Sequence, residues 1–142
     1  MPEHDVQPLI LIAVSHDDTR EMYALFLLAA GFRVAETATS DDALAKALRL
    51  GPQLVITDLG LAGSMDGADL CATIKHHPCP PAVIILTAWT LERKLERAWA
   101  AGSDRVMVKP CMPDVLLTEI RSLLGPYFAP LSTSPAASDA NL

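Results

Sequence analysis

Short apolar runs alternate along the chain with longer stretches in which apolar residues recur every three or four positions. A short run bounded by turn residues predicts a buried strand, and the 3.6-residue recurrence predicts an amphipathic helix. The predicted strands cover residues 9–14, 33–36, 53–57, 82–86 and 105–108. A helical pattern follows each of them, so the sequence predicts five successive strand–helix units.

Capping and terminating residues mark the limits of these helices. Asp17 or Asp18 is predicted to cap the first helix, and Gly31 is predicted to end it. Thr39 or Ser40 is predicted to cap the second helix. Apolar residues at helical spacing are expected to face the core, among them Met22, Leu25, Leu91, Trp99 and Val115.

This alternation predicts the fold class. Right-handed crossovers place helices on both faces of a parallel sheet, and the near-continuous apolar strands agree because such strands are buried on both sides. We expect an α/β domain over residues 8–125, with one doubly wound, five-stranded parallel sheet flanked by helices. Residues 1–7 are expected to form an N-terminal extension. The Pro-, Ala- and Ser-rich segment 126–142 is expected to be a flexible tail.

Composition and charge narrow the classes of function. A length of 142 residues suggests one domain. The net charge is −6 and the sequence has no Lys/Arg cluster, which argues against nucleic acid or an anionic membrane as a direct partner. The three cysteines are an odd, sparse set that fits reduced thiols. The first apolar run is too short for a signal core or a membrane span. Together these features predict a cytoplasmic protein.

Reactive polar residues stand at the ends of three predicted strands. Asp58 follows the third strand, Thr87 the fourth and Lys109 the fifth. An acid at the end of an apolar strand is costly unless it is paired, coordinated or used. Because ligands of such sheets bind outside the carboxyl ends of the strands, we expect this acid, hydroxyl and ammonium to form one site.

With these residues in this order, the chain resembles the receiver domain of two-component response regulators over roughly residues 8–124. The resemblance rests on Asp58, on Met65-Asp66-Gly67 in the following loop, on Thr87-Ala88 and on Lys109-Pro110. It implies a flavodoxin-like fold in which Asp58 accepts a phosphoryl group from a sensor histidine kinase or phosphotransfer protein. It also implies that Thr87 hydrogen-bonds the phosphoryl oxygens and that Lys109 pairs with their charge.

The resemblance further implies how the signal leaves the domain. The family presents its output on the fourth helix, the fifth strand and the fifth helix, so a downstream protein is expected to bind there. The resemblance leaves open whether two copies of the domain form a homodimer. Such a domain is a phosphoacceptor and not an enzyme, beyond self-catalysed phosphoryl transfer and dephosphorylation.

The chain departs from the family pattern where the family binds its divalent metal. Aligning the first helix places Val14 and Ser15 where the family has an acidic pair. The ligands implied for Mg²⁺ are Asp58, the backbone carbonyl of Gly60 and, as replacements for the missing acids, His16 and Asp17. Since Mg²⁺ prefers carboxylate oxygens in octahedral geometry, its affinity is expected to be weakened.

Proteins with other functions share this fold class. Val106 stands where the family often has a Tyr or Phe that swings with the threonine, so a pseudo-receiver acting as a phosphorylation-independent interaction module remains open. A haloacid-dehalogenase-type phosphatase is disfavoured, because Gly60 occupies the position of its second Asp. A flavodoxin-like nucleotide binder is disfavoured, because no glycine-rich phosphate loop follows the first strand.

Overall fold

The computed structural model describes residues 7–88 and 90–125, in which five strands and five helices alternate. The strands are β1 (Leu9–Ala13), β2 (Arg33–Thr37), β3 (Leu54–Asp58), β4 (Ala82–Thr87) and β5 (Arg105–Val108). The helices are α1 (Asp17–Ala29), α2 (Ser40–Leu50), α3 (Gly67–Lys75), α4 (Glu92–Ala100) and α5 (Pro113–Leu123). The domain limits 8–125 stay a prediction. Most of the predicted extension and all of the predicted tail lie outside the described residues.

The strands form one parallel sheet in the order β2-β1-β3-β4-β5. The order changes direction between β1 and β3, and in doubly wound sheets this switch point is where ligands bind. The predicted fold class is therefore confirmed. None of the helices in the described part of the chain combines the length and apolar character needed to cross a membrane.

Helices cover both faces of the sheet and enclose two apolar clusters, because successive strand residues point to opposite faces. One cluster lies under α1 and α5 and includes Ile10, Ile12, Ile56, Leu27, Leu116 and Ile120. The other lies under α2, α3 and α4 and includes Leu11, Val55, Ile85, Ala43, Leu70 and Ala98. Strands β1 and β3 are buried along their whole length, which fixes the carboxyl edge of the sheet.

Several apolar residues predicted to face the core are exposed instead, namely Met22, Leu25, Leu91, Trp99 and Val115. The prediction was wrong for them because only a narrow arc of each helix contacts the sheet. In α1 that arc is Tyr23, Ala24 and Leu27. In α4 the buried arc consists of Ala98 alone, and the neighbouring Trp99 is 51% exposed.

The start of α1 also differs from the prediction. His16 is the N-cap, and its Nδ1 accepts a hydrogen bond from the backbone N–H of Thr19 at 3.3 Å. Asp17 and Asp18 lie in the first turn, where their negative charges suit the positive end of the helix dipole. Thr39, one of the two predicted caps, is the N-cap of α2.

Candidate functional site

The carboxyl edge of the sheet brings the three predicted site residues to one place. Asp58 ends β3 and Thr87 ends β4, while Lys109 directly follows β5. The Lys109 N–H donates to the Thr87 carbonyl at 2.7 Å, which holds the start of the following loop against β4. Thr87 is buried at the end of its strand. The acid, the hydroxyl and the ammonium therefore share this edge.

The two carboxylate oxygens of Asp58 have different partners. Oδ1 lies 2.7 Å from Nζ of Lys109, but the ammonium approaches outside hydrogen-bonding direction, so Oδ1 has an ion-pair partner and accepts no directed hydrogen bond. Oδ2 accepts a hydrogen bond from the backbone N–H of Ser15 at 3.3 Å. Asp58 is 7% exposed, whereas the Lys109 side chain is 35% exposed. The pair is thus reachable from solvent on the lysine side.

Ser15 joins three loops beside the phosphoacceptor candidate. Its hydroxyl donates to the Ala38 carbonyl at 3.1 Å, in the loop between β2 and α2. The same hydroxyl accepts from the N–H of Ala62 at 3.0 Å, in the loop between β3 and α3. Sequence reasoning identified Ser15 only as a missing acid. Its role in joining the loops gives no local sequence signal, because its partners are distant along the chain.

The loop after Asp58 is attached to the beginning of α2. Ser64 donates from its N–H to Oδ2 of Asp41 at 3.1 Å and from its hydroxyl to Oδ1, and these hydrogen bonds lower the pKa of Asp41. Met65 donates from its N–H to Oγ of Ser40 at 3.1 Å. Gly63 has φ +124°, and a Cβ there would lie 2.8 Å from the backbone nitrogen of Ser40. Glycine is therefore required at this crossing.

Helix α4 is fastened to the beginning of α3 by Arg97. Its Nη1 lies 2.6 Å from Oδ2 of Asp66, and its Nη2 lies 3.0 Å from Oδ1 of Asp69. Asp66 is also the N-cap of α3, since Oδ1 accepts from the Asp69 N–H at 2.9 Å. Burial tends to raise the pKa of Asp66, but the hydrogen bonds from Arg97 and the backbone hold it below its ordinary value.

Tyr23 holds the loop that follows Lys109. Its hydroxyl donates to the Cys111 carbonyl at 2.7 Å, across 88 positions of sequence. The Lys109–Pro110 peptide bond that precedes Cys111 is cis. Burial raises the pKa of the Tyr23 phenol to about 12, so the hydroxyl stays a donor at neutral pH.

Other contacts occupy the residues at the positions of the family's acidic pair. The same holds for the residues predicted to replace those acids. Val14 is buried and belongs to the cluster under α1 and α5. His16 caps α1, and Asp17 binds Nη2 of Arg20 at 2.8 Å. Within residues 7–88 and 90–125, no three His, Cys, Asp or Glu side chains are grouped so that they could hold a metal ion.

The face formed by β5, the loop after it and α5 carries exposed apolar residues. A shallow groove on this face is lined in part by Val106, Val108, Met112 and Val115. Arg105 of β5 binds Glu119 of α5 at 2.8 Å along the same groove. Exposed apolar side chains grouped in this way are typical of protein-binding surfaces.

Comparison with known proteins agrees with this architecture. A family model described as the response regulator receiver domain matches residues 10–121. The transcriptional regulatory protein ResD of Bacillus subtilis is 29% identical over 115 residues, which are 81% of this chain and 47% of ResD. The transcriptional regulatory protein AfsQ1 of Streptomyces coelicolor is 32% identical over 117 residues, which are 82% of this chain and 51% of AfsQ1. The chain spans about half the length of these curated relatives.

Solved structures give the same result. A CheY-like response regulator receiver domain protein from Methanospirillum hungatei superimposes with a TM-score of 0.79 at 25% identity, covering 87% of this chain and 98% of that one. The chemotaxis protein CheY4 of Vibrio cholerae superimposes with a TM-score of 0.78 at 25% identity, covering 84% of this chain and all of that one. With its matching fold and carboxyl-edge acid, hydroxyl and lysine, this chain belongs to the response regulator receiver domain family of two-component systems.

Proposed function

We propose that this receiver domain is a phosphorylation switch in which Asp58 is the phosphoacceptor. One observation carries the proposal. The buried Asp58 carboxylate has an oxygen, Oδ1, that faces the Lys109 ammonium at 2.7 Å and accepts no directed hydrogen bond. The carboxylate that would accept the phosphoryl group therefore lies beside a positive charge that can balance it.

The chemistry follows from this placement. Receiver domains interact with histidine kinases or phosphotransfer proteins and are signalling domains rather than classical enzymes. In the transfer, the Asp58 Oδ1–phosphorus bond forms as the phosphorus–nitrogen bond of the donor phosphohistidine breaks, and the imidazole takes up a proton. Lys109 then balances charge on the phosphoryl oxygens, which is the main requirement of this reaction. The Thr87 hydroxyl is the proposed donor to one of those oxygens.

Magnesium binding is expected to be weakened. Receiver domains generally bind Mg²⁺ at the phosphorylation site. Here Val14 offers no oxygen from its side chain, and the Ser15 hydroxyl already bonds Ala38 and Ala62. The Asp58 carboxylate is balanced by Lys109. Because Mg²⁺ keeps near-ideal octahedral geometry with hard oxygen ligands, the residues present do not fit it well.

The output surface that we propose is the face of α4, β5 and α5, with a downstream protein as its partner. The exposed apolar groove residues Val108, Met112 and Val115 support this assignment. Association of two copies through this face is the alternative use of the same surface. Replacing Val115 with Glu would weaken either association, and sedimentation of the free protein would distinguish the two.

Intact mass after incubation with acetyl phosphate and Mg²⁺ tests the phosphoacceptor. We expect the wild type to gain one phosphoryl group and Asp58→Asn to gain none. Asp18→Asn is the matched control, since Asp18 is an acid in the first turn of α1 and has no contact with Asp58. Circular dichroism checks that each variant folds.

Two results would contradict the proposal. Labelling of Asp58→Asn at the wild-type level would show a different acceptor. A wild type that gains nothing from acetyl phosphate or from phosphoramidate would favour the pseudo-receiver, an interaction module independent of phosphorylation.

A further inference from the structure

We propose that the peptide group between Val14 and Ser15 takes over the metal's task at Asp58, so that phosphoryl acceptance proceeds without a divalent ion. Ser15 and Arg20 act as positioning residues in this arrangement. The inference rests on the proposed function, because it concerns how the Asp58 carboxylate is held and balanced.

The Val14–Ser15 peptide is bonded at both ends. Its N–H, on Ser15, donates to Oδ2 of Asp58 at 3.3 Å. Its carbonyl, on Val14, accepts from Nη1 of Arg20 at 2.9 Å. The guanidinium, the peptide group and the carboxylate thus form a chain of hydrogen bonds, and such chains polarise one another in a low-dielectric environment. Arg20 therefore polarises and orients the peptide group whose N–H faces Oδ2.

Arg20 is itself held firmly. Its Nη2 binds Asp17 at 2.8 Å and its Nε binds Glu36 of β2 at 3.2 Å, and its side chain is 14% exposed. Asp17, Glu36 and the Val14 carbonyl each accept a hydrogen bond from a different nitrogen of the planar guanidinium. A lysine could not make this set of contacts, because its ammonium is a point charge without a fork.

The Ser15 hydroxyl fixes the position of the peptide from the other side. It spans the Ala38 carbonyl at 3.1 Å and the Ala62 N–H at 3.0 Å. The N–H of Val14 is also fixed, because it donates to the Thr37 carbonyl at 3.1 Å. The amide that faces Oδ2 therefore has little freedom to turn away when charge develops on the acceptor.

These contacts give the two carboxylate oxygens of Asp58 different roles. Oδ2 is held by a fixed donor, as a metal would hold it, and Oδ1 remains the nucleophile beside Lys109. With acetyl phosphate, the phosphorus–oxygen bond to acetate breaks and acetate leaves with its electron pair as the Oδ1–phosphorus bond forms. No proton transfer is needed. Lys109 is the cation beside Oδ1, and the Ser15 N–H, positioned through Arg20, is the fixed donor at Oδ2.

The test compares the rate of labelling by acetyl phosphate in EDTA with the rate in MgCl₂, followed by intact mass. We expect the wild-type rates to agree within about twofold. Ser15→Ala should slow labelling in EDTA by about tenfold, the effect of losing one hydrogen-bonded anchor. Ser15→Thr keeps a hydroxyl and should recover most of the rate. Ser15→Asp supplies a carboxylate beside Asp58 and should make labelling dependent on Mg²⁺.

Ser103→Ala is the matched control. It removes a buried hydroxyl that donates to the Ala98 carbonyl at 2.9 Å, at the opposite end of the sheet, and should leave the labelling rate unchanged. A second measurement does not depend on phosphorylation of the protein. In a ¹H–¹⁵N spectrum the Ser15 amide proton should lie downfield and move upfield in Asp58→Asn, while the Ala62 amide stays in place.

The outcomes separate the two proposals. Wild-type labelling only with Mg²⁺ would overturn this inference while Asp58 stays the acceptor. Labelling of folded Ser15→Ala in EDTA at the wild-type rate would also overturn it. A wild type that is labelled in neither buffer removes the proposed function, and this inference with it. If Ser15→Ala fails to fold, the wild-type comparison and the Ser15 amide shift decide.

Discussion

The backbone of Gly67 lies directly against the carbonyl group of Asp58. A Cβ atom added at Gly67 would be 2.8 Å from the carbonyl carbon of Asp58 and closer still to its oxygen. The Gly67 N–H also donates to the Leu59 carbonyl at 2.8 Å. The first residue of α3 and the last residue of β3 are therefore in backbone contact, which leaves no space for a side chain.

Gly67→Ala is expected to destabilise the domain by about 2–3 kcal/mol, because the new methyl group meets backbone that cannot rotate away. Urea denaturation measures the loss. Gly125→Ala is the matched control, since a Cβ at Gly125 meets nothing within 4 Å, and it should change stability by less than about 0.5 kcal/mol. Equal losses at the two positions would contradict the contact.

Lys109→Met is expected to cost about 1–3 kcal/mol, because it leaves the buried Asp58 carboxylate without its cation. In an Asp58→Asn background the same substitution should cost much less, since the charge is gone. The four proteins form a double-mutant cycle measured by urea denaturation. A Lys109→Met cost that is the same in both backgrounds would show that the two side chains are not coupled.

Arg97→Gln is expected to lower the free energy of unfolding by about 0.5–1 kcal/mol at neutral pH, the value of a partly exposed ion-pair network. The pKa of Asp66 is lowered in the folded state, so its contribution is present above the unfolded carboxyl pKa of about 4 and is lost as the pH falls through the folded value. The difference between wild type and variant should shrink from about pH 7 to about pH 3. Arg93→Gln, exposed on the same helix, should show no such trend.

Cys79 is expected to be the thiol that iodoacetamide modifies in the native protein. It is exposed, whereas Cys71 and Cys111 are buried, and burial raises the pKa of Cys71 to about 11 and that of Cys111 above its ordinary value. Because the thiolate is the reactive form, the buried thiols should stay unmodified. Under native conditions, intact mass should show one adduct in the wild type and none in Cys79→Ser. In urea the wild type should carry three adducts. A native adduct in Cys79→Ser would contradict this order of reactivity.

The sheet and the edge where Asp58, Thr87 and Lys109 meet could be predicted from sequence, because burial on both faces leaves continuous apolar runs and parallel strands end at one edge. The ends of the strands follow less directly from the sequence. The apolar run before Asp58 predicts a strand over 53–57, yet β3 includes Asp58 because it pairs with Leu86 of β4. Pairing between strands, rather than composition, decides where a strand stops.

The contacts around Ser15 could not be predicted from sequence. Its hydroxyl meets Ala62 across 47 positions, and both Ala38 and Ala62 contribute backbone groups that any residue would provide. The cap of α1 was missed for a related reason. Aspartate is the commoner cap, but the chain enters the helix one residue earlier, at His16.

The loop between β3 and α3 is held by side chains from elsewhere in the fold. The amides of Ala62, Ser64 and Met65 all donate to acceptors on other segments, namely Ser15 Oγ, Asp41 Oδ2 and Ser40 Oγ. Loop amides usually exchange with solvent quickly, and these three hydrogen-bonded amides should exchange more slowly than unbonded loop amides. These hydrogen bonds restrain the loop that lies beside Asp58. A phosphoryl donor for the proposed acceptor Asp58 would therefore meet a carboxyl edge whose neighbouring loop is already held in place.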